Sequence, residues 1–145
     1  MKRLVVAIVI VFACSPLSGV AQTVGVVQGN IWYSKDPFFV GDSIRIYTGV
    51  FNGAAYDITG TVEFFDADLR IGSSTFAVPA NGGLREVSIP WTAAFGSHSI
   101  SATISSIAPK VGSQTVVVTN KQTVSDKRAV AVNTETKQPI MVASS

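Results

Sequence analysis

The sequence predicts an all-β protein, an antiparallel sandwich of about seven short strands, and three observations carry that prediction. Apolar and polar residues alternate with a period of two, Gly, Asn, Asp and Pro fall between the alternating stretches, and no segment has the apolar spacing of an amphipathic helix. The 145 residues, 47% of them hydrophobic, suffice for one domain with a substantial core.

The first element is a leader. Lys2 and Arg3 precede an apolar run from Leu4 to Ala13, and Pro16, Gly19 and Ala21 come after it. This is the layout of a secretory signal peptide over residues 1–21, with cleavage expected after Ala21. A membrane span needs roughly 20 apolar residues, a length reached here only by counting Ser15, Pro16, Ser18 and Gly19, so a retained anchor ranks behind a cleaved leader. Cys14, the only cysteine, is a further option as a lipid attachment point, although bulky Phe12 stands before it. The mature chain is expected to have no thiol and no disulfide. Removing Lys2 and Arg3 lowers the basic residues from 11 to 9, against 9 acidic ones, so the mature charge is near zero. The remaining cations are scattered singly, which excludes the clustered basic surface that nucleic acid needs. The expected location is secreted, periplasmic or on the cell surface.

The strands come next, in order. An N-terminal one is expected near "GNIWYS". In "SIRIYTGV", Ile44, Ile46, Thr48 and Val50 share one face while Arg45, Tyr47 and Gly49 share the other. "TVEFF" turns Val62 and Phe64 inward, and "EVSIPW" does the same with Val87, Ile89 and Trp91. Pro90 assigns that strand to an edge or a bulge, because proline cannot donate to a ladder. "SHSISATISS" places His98, Ile100, Ala102 and Ile104 on one side and Ser99, Ser101, Thr103 and Ser105 on the other. A last strand is expected at "SQTVVVTN". Between these lie the turn stretches "FNGAAYD", "DADLRIG", "PANGG" and "FGS". Strands of this length and number imply an immunoglobulin-like antiparallel β-sandwich with Greek-key connections over residues 22–119. From Asn120 to Ser145 the alternation is lost, and this stretch is expected to be a flexible tail or linker.

Four pieces in this order carry a family resemblance: "PFFVGDSIRIYTGVFNG", "VEFFDADLRIGSS", "VSIPW" and "GSHSISATI". From Lys35 to about Ser106 the chain is similar to the CARDB-like domains of bacteria and archaea, cell-adhesion-related modules of the immunoglobulin-like class. Two departures stand out: the Asn-Gly region continues into "AAYDITG", and Ala-Asp occupies a turn where the family more often has Asp-Gly. The resemblance implies extracellular or cell-surface placement and an adhesion, binding or spacer role. It carries no catalytic residues that could be transferred, and nothing in the sequence itself calls for a cofactor.

The residues themselves support little chemistry. His98, the only histidine, shares a face with Ile100 and is expected to close one end of the core. Ser99 and Ser101 cannot pair with it locally, because adjacent strand residues point to opposite faces. Asp66 and Asp68, with Asp57, are carboxylates of the kind that bind calcium, but calcium takes six or more oxygens and the more ordinary role is turn formation. Trp91 is expected in the core. Trp32, Tyr33, Phe38 and Phe39 form the one aromatic cluster; they either seal the sandwich or offer a contact surface for a glycan or partner protein. Val116, Val117 and Val118 are expected to lie on an edge strand able to pair with another chain. A non-catalytic adhesion, interaction or spacer module is thus the leading function, with a carbohydrate-binding module as the alternative. The expected partner is a protein or glycan of the cell envelope.

Overall fold

The computed structural model describes residues 23–134; the leader with Cys14 lies outside them. Nine strands are formed among the described residues: β1 (Val24–Tyr33), β2 (Ser43–Asn52), β3 (Ile58–Asp66), β4 (Leu69–Val78), β5 (Gly83–Thr92), β6 (Gly96–His98), β7 (Ile100–Pro109), β8 (Gln122–Val124) and β9 (Arg128–Val130). One sheet has the order β1-β2-β5, the facing sheet the order β4-β3-β7-β8, and β6 and β9 pair separately. All ladders are antiparallel, and the chain crosses between the two sheets in the immunoglobulin-like manner.

The period-two faces explain why these sheets stack. Ile46, Val50, Val62, Phe64, Ile100 and Ala102 are wholly inaccessible to solvent, and Val87 and Ile89 close over them from β5. Thr48 is the polar member of this inward row, and its hydroxyl donates to the Asn30 carbonyl (2.9 Å), which satisfies it without water. Pro90 lies on β5, the edge of its sheet, where the missing N–H breaks no ladder on the open side.

The sandwich has two poles. At the entry pole, Asn52 is completely buried and ties the β2–β3 connection to the end of β4 and the β4–β5 connection. Its Nδ2 donates toward the carbonyls of Tyr56 (2.9 Å), Val78 (3.2 Å) and Pro79 (3.1 Å), and its Oδ1 accepts from the Ala54 N–H (3.0 Å). At the far pole, β6 and β9 cover a second small core of Phe38, Ile44, Ala93 and Val130, with Tyr33 and Trp91 linking it to the main one.

Four expectations are corrected. Residues 122–124 and 128–130 are strands, so the tail expected from Asn120 is built into the fold as far as Val130. Short strands of three residues are below the length at which alternation can be recognised. Val116, Val117 and Val118 lie in no strand: Val116 and Val118 pack sideways on the main core while Val117 stays exposed. Residues Leu69–Gly72, expected as part of a turn, open the edge strand β4. The expected single strand "SHSISATISS" is divided at Ser99 into β6 and β7.

Candidate functional site

The feature that shapes the surface begins in β1. Val26 pairs with Val50 and Ile31 with Thr48, so Val27, Gln28, Gly29 and Asn30 all stand opposite Gly49. Such a bulge bends a strand and re-aims the residues beyond it. Two residues make room for it. Gly29 takes a φ of 67°, a region where glycine is at ease, and Gly49 has no side chain where Val27 and Leu84 close over it at 3.3 and 3.4 Å from a would-be Cβ. The displaced backbone is caught by β8: the Gly29 N–H donates to Thr123 Oγ1 (2.8 Å), and Gln28 Nε2 donates to the Gln122 carbonyl (2.6 Å).

Beyond the bulge, the second half of β1 and the β8–β9 loop face each other across a cleft of about 310 Å³. Gly29, Ile31 and Tyr33 form one wall; Ser125, Asp126, Lys127 and Arg128 form the other. Arg128 closes its far end. Its guanidinium lies 4.5 Å from the Phe38 ring centroid and 5.0 Å from that of Tyr33, and it is paired with Asp36. Burial pushes the Tyr33 hydroxyl above the ordinary tyrosine pKa, opposed by its bond to Ser125 and by the charge of Arg128.

The four aromatic residues expected to act together are divided by the pleat. Tyr33 packs inward against both cores and Phe38 is buried. Trp32, between inward Ile31 and inward Tyr33, projects from the outer face, where it stacks on Tyr47 at 5.5 Å with ring planes 8° apart. Phe39 is half-buried, and its N–H donates to Asp42 Oδ2 (2.9 Å). No single aromatic platform is formed; Tyr33 alone of the four lines the cleft. The most exposed aromatic of the described residues, Phe95 at 74%, escapes a reading of the sequence because it sits in a turn rather than an alternating stretch. The residues Ser125–Arg128 are hidden for a different reason: they lie in the stretch that lacks alternation.

His98, Asp66 and Asp57 have settled roles. His98 Nδ1 meets Asp66 Oδ2 at 2.5 Å, its Nε2 meets the Ala94 carbonyl at 2.9 Å, and its ring packs edge-on against Trp91. The second Asp66 oxygen accepts the Ser99 N–H (3.2 Å). With both ring nitrogens engaged, this histidine has no free nitrogen with which to activate a serine. Asp57 accepts the Ala80 N–H (3.0 Å). Among the described residues no three His, Cys, Asp or Glu side chains converge as metal ligands.

No family model matches the chain, and no curated protein matches it. Among solved structures it is similar to the CARDB domain of a Pyrococcus furiosus protein, solved in complex with di-metal ions. The TM-score is 0.52 at 13% sequence identity, over 76% of this chain and 87% of that one. The fold is therefore a CARDB-like, immunoglobulin-like sandwich, as the order of sequence features implied. The likeness is one of fold, and the donor set of a di-metal centre is not assembled among the described residues of this chain.

Proposed function

We propose that the chain is a non-catalytic recognition or spacer module of the adhesion-related kind, exported by its leader to the cell surface, periplasm or medium. The observation that supports it best is the CARDB-like sandwich itself, in which the candidate reactive groups are spent on structure. The leader residues Lys2 and Arg3 and the apolar run after them support export. Function on such a fold resides in surface features rather than in the sandwich, and the cleft between β1 and the β8–β9 loop is the most developed of these.

The test is binding of the mature chain, residues 22–145, to envelope fractions of its own source, before and after protease or glycosidase treatment. Saturable binding abolished by one treatment is the expected result for recognition. Binding to no fraction leaves the spacer role. Export is checked separately by N-terminal sequencing of the protein recovered outside the cytoplasm, which is expected to begin at Gln22.

A further inference from the structure

We infer that the cleft between β1 and the β8–β9 loop is a binding site for a neutral oligosaccharide; this rests on the recognition reading above. Its volume of about 310 Å³ lies at the small end of the range of ligand sites, roughly 300–1,000 Å³, enough for one or two sugar rings in an open-sided groove. The bulge at Val27–Asn30 opens it, and Gly29 leaves its floor bare, since a Cβ there would meet no atom within 4 Å.

The chemistry of the walls selects the ligand class. Ile31 and Tyr33 supply apolar surface for the C–H faces of a sugar. Opposite them stand an acceptor, Asp126, and a donor, Lys127, while the Ser125 hydroxyl is spent within the fold, accepting the Ile100 N–H (3.1 Å) and donating to the Asp126 carbonyl (3.0 Å). Arg128 is already committed to Asp36 and to the rings of Tyr33 and Phe38, whereas Asp126 and Lys127 make no salt bridge among the described residues. A ligand with net negative charge meets Asp126, and one with net positive charge meets Lys127 and Arg128. A neutral ligand whose hydroxyls both donate and accept satisfies both signs at once. An oligosaccharide has that character, and the apolar wall gives it a face to lie on.

The experiment titrates the mature chain with neutral gluco-, xylo- and manno-tetrasaccharides, following backbone amide shifts. It is repeated with Asp126→Ala and Lys127→Ala, both exposed positions whose loss is expected to leave the melting temperature unchanged. Envelope binding by the unaltered chain is measured in parallel. The inference holds if a tetrasaccharide shifts the amides of Gly29–Tyr33 and Ser125–Arg128 and each variant weakens binding at least tenfold. Sugar binding that ignores both variants, or shifts amides elsewhere, overturns the site while leaving recognition intact. Envelope binding without any tetrasaccharide binding overturns the ligand class. If neither sugars nor envelope fractions bind, both readings fall together.

Discussion

The main core and the far-pole annex hold the same chain by different means. Between the two large sheets, the inward rows of β2, β3, β5 and β7 bury contiguous aliphatic and aromatic surface, and no single contact decides the outcome. At the far pole, β6 and β9 share only three residue pairs, and the cluster beneath them has four buried members. Directional contacts compensate there: Asp66 to His98, Arg128 to Asp36, and the Arg128 guanidinium over two aromatic rings. Bulk burial tolerates small errors, whereas a few directed contacts do not share their load. The first kind of cohesion protects the whole fold and the second positions one wall of the cleft.

Substitutions can break this contrast at graded strengths. The largest loss is expected from Phe64→Ala, which empties the centre of the main core and costs about 3–5 kcal/mol. Urea unfolding followed by tryptophan fluorescence checks it, and a loss below about 1 kcal/mol would contradict the packing described. Next comes Asn52→Ala. It strands three carbonyls and an N–H in a buried pole, at about 1–3 kcal/mol, and the same titration reads it. Arg128→Ala should act locally. The stacked cation contributes about 0.5–2 kcal/mol, so amide exchange should quicken in β6 and β9 while β2, β3 and β7 keep their protection. Uniform acceleration across the molecule would instead make the annex part of the global unit.

The smallest effect concerns pH. The bond from Lys35 and the Phe39 N–H hold Asp42 below its ordinary pKa. A lowered folded-state value means that this contribution is present above the unfolded pKa and is lost as pH falls through the folded one. Asp42→Asn should therefore lower the melting temperature slightly at neutral pH, with the difference from the unaltered chain closing as pH falls through the folded-state pKa, so that the acid side of its profile is flatter. An unchanged acid slope would show that the carboxylate contributes nothing there.

The same division sets how much of the molecule is legible in the sequence. Alternation exposes β2, β3, β5 and β7, because burial on one face of a pleat writes itself as a period of two. Pro90 marks its edge for an equally direct reason. The Val116–Val118 run misleads: apolar residues in succession look like a strand, but two of them pack sideways against the core and the ladder passes instead to β8. β4 begins within the expected turn because an edge strand with one wet face tolerates Leu69, Arg70 and Gly72. The cleft is beyond reach. Tyr33 stands out among the aromatic residues, yet its opposite wall comes some ninety positions later, in a stretch without pattern, and only a four-residue bulge brings the two together.

The bulge is flanked by a geometry with mechanical meaning. The described chain enters beside Gly53, where the Gly53 N–H bonds the Thr23 carbonyl (2.8 Å), and leaves past Val130 at the opposite pole, where Ala131 accepts from Val40 (3.0 Å). A pull applied through both ends therefore runs along the long axis of the sandwich. It loads the β1–β2 ladder in shear, with many bonds strained at once, whereas the three-residue β6–β9 pair has far fewer to share the tension. The annex, with the fewer bonds, is therefore expected to yield first under tension, taking one wall of the cleft with it while the sandwich remains. A ligand held between those walls would then be released by stretching the molecule, well before the fold that displays it gives way.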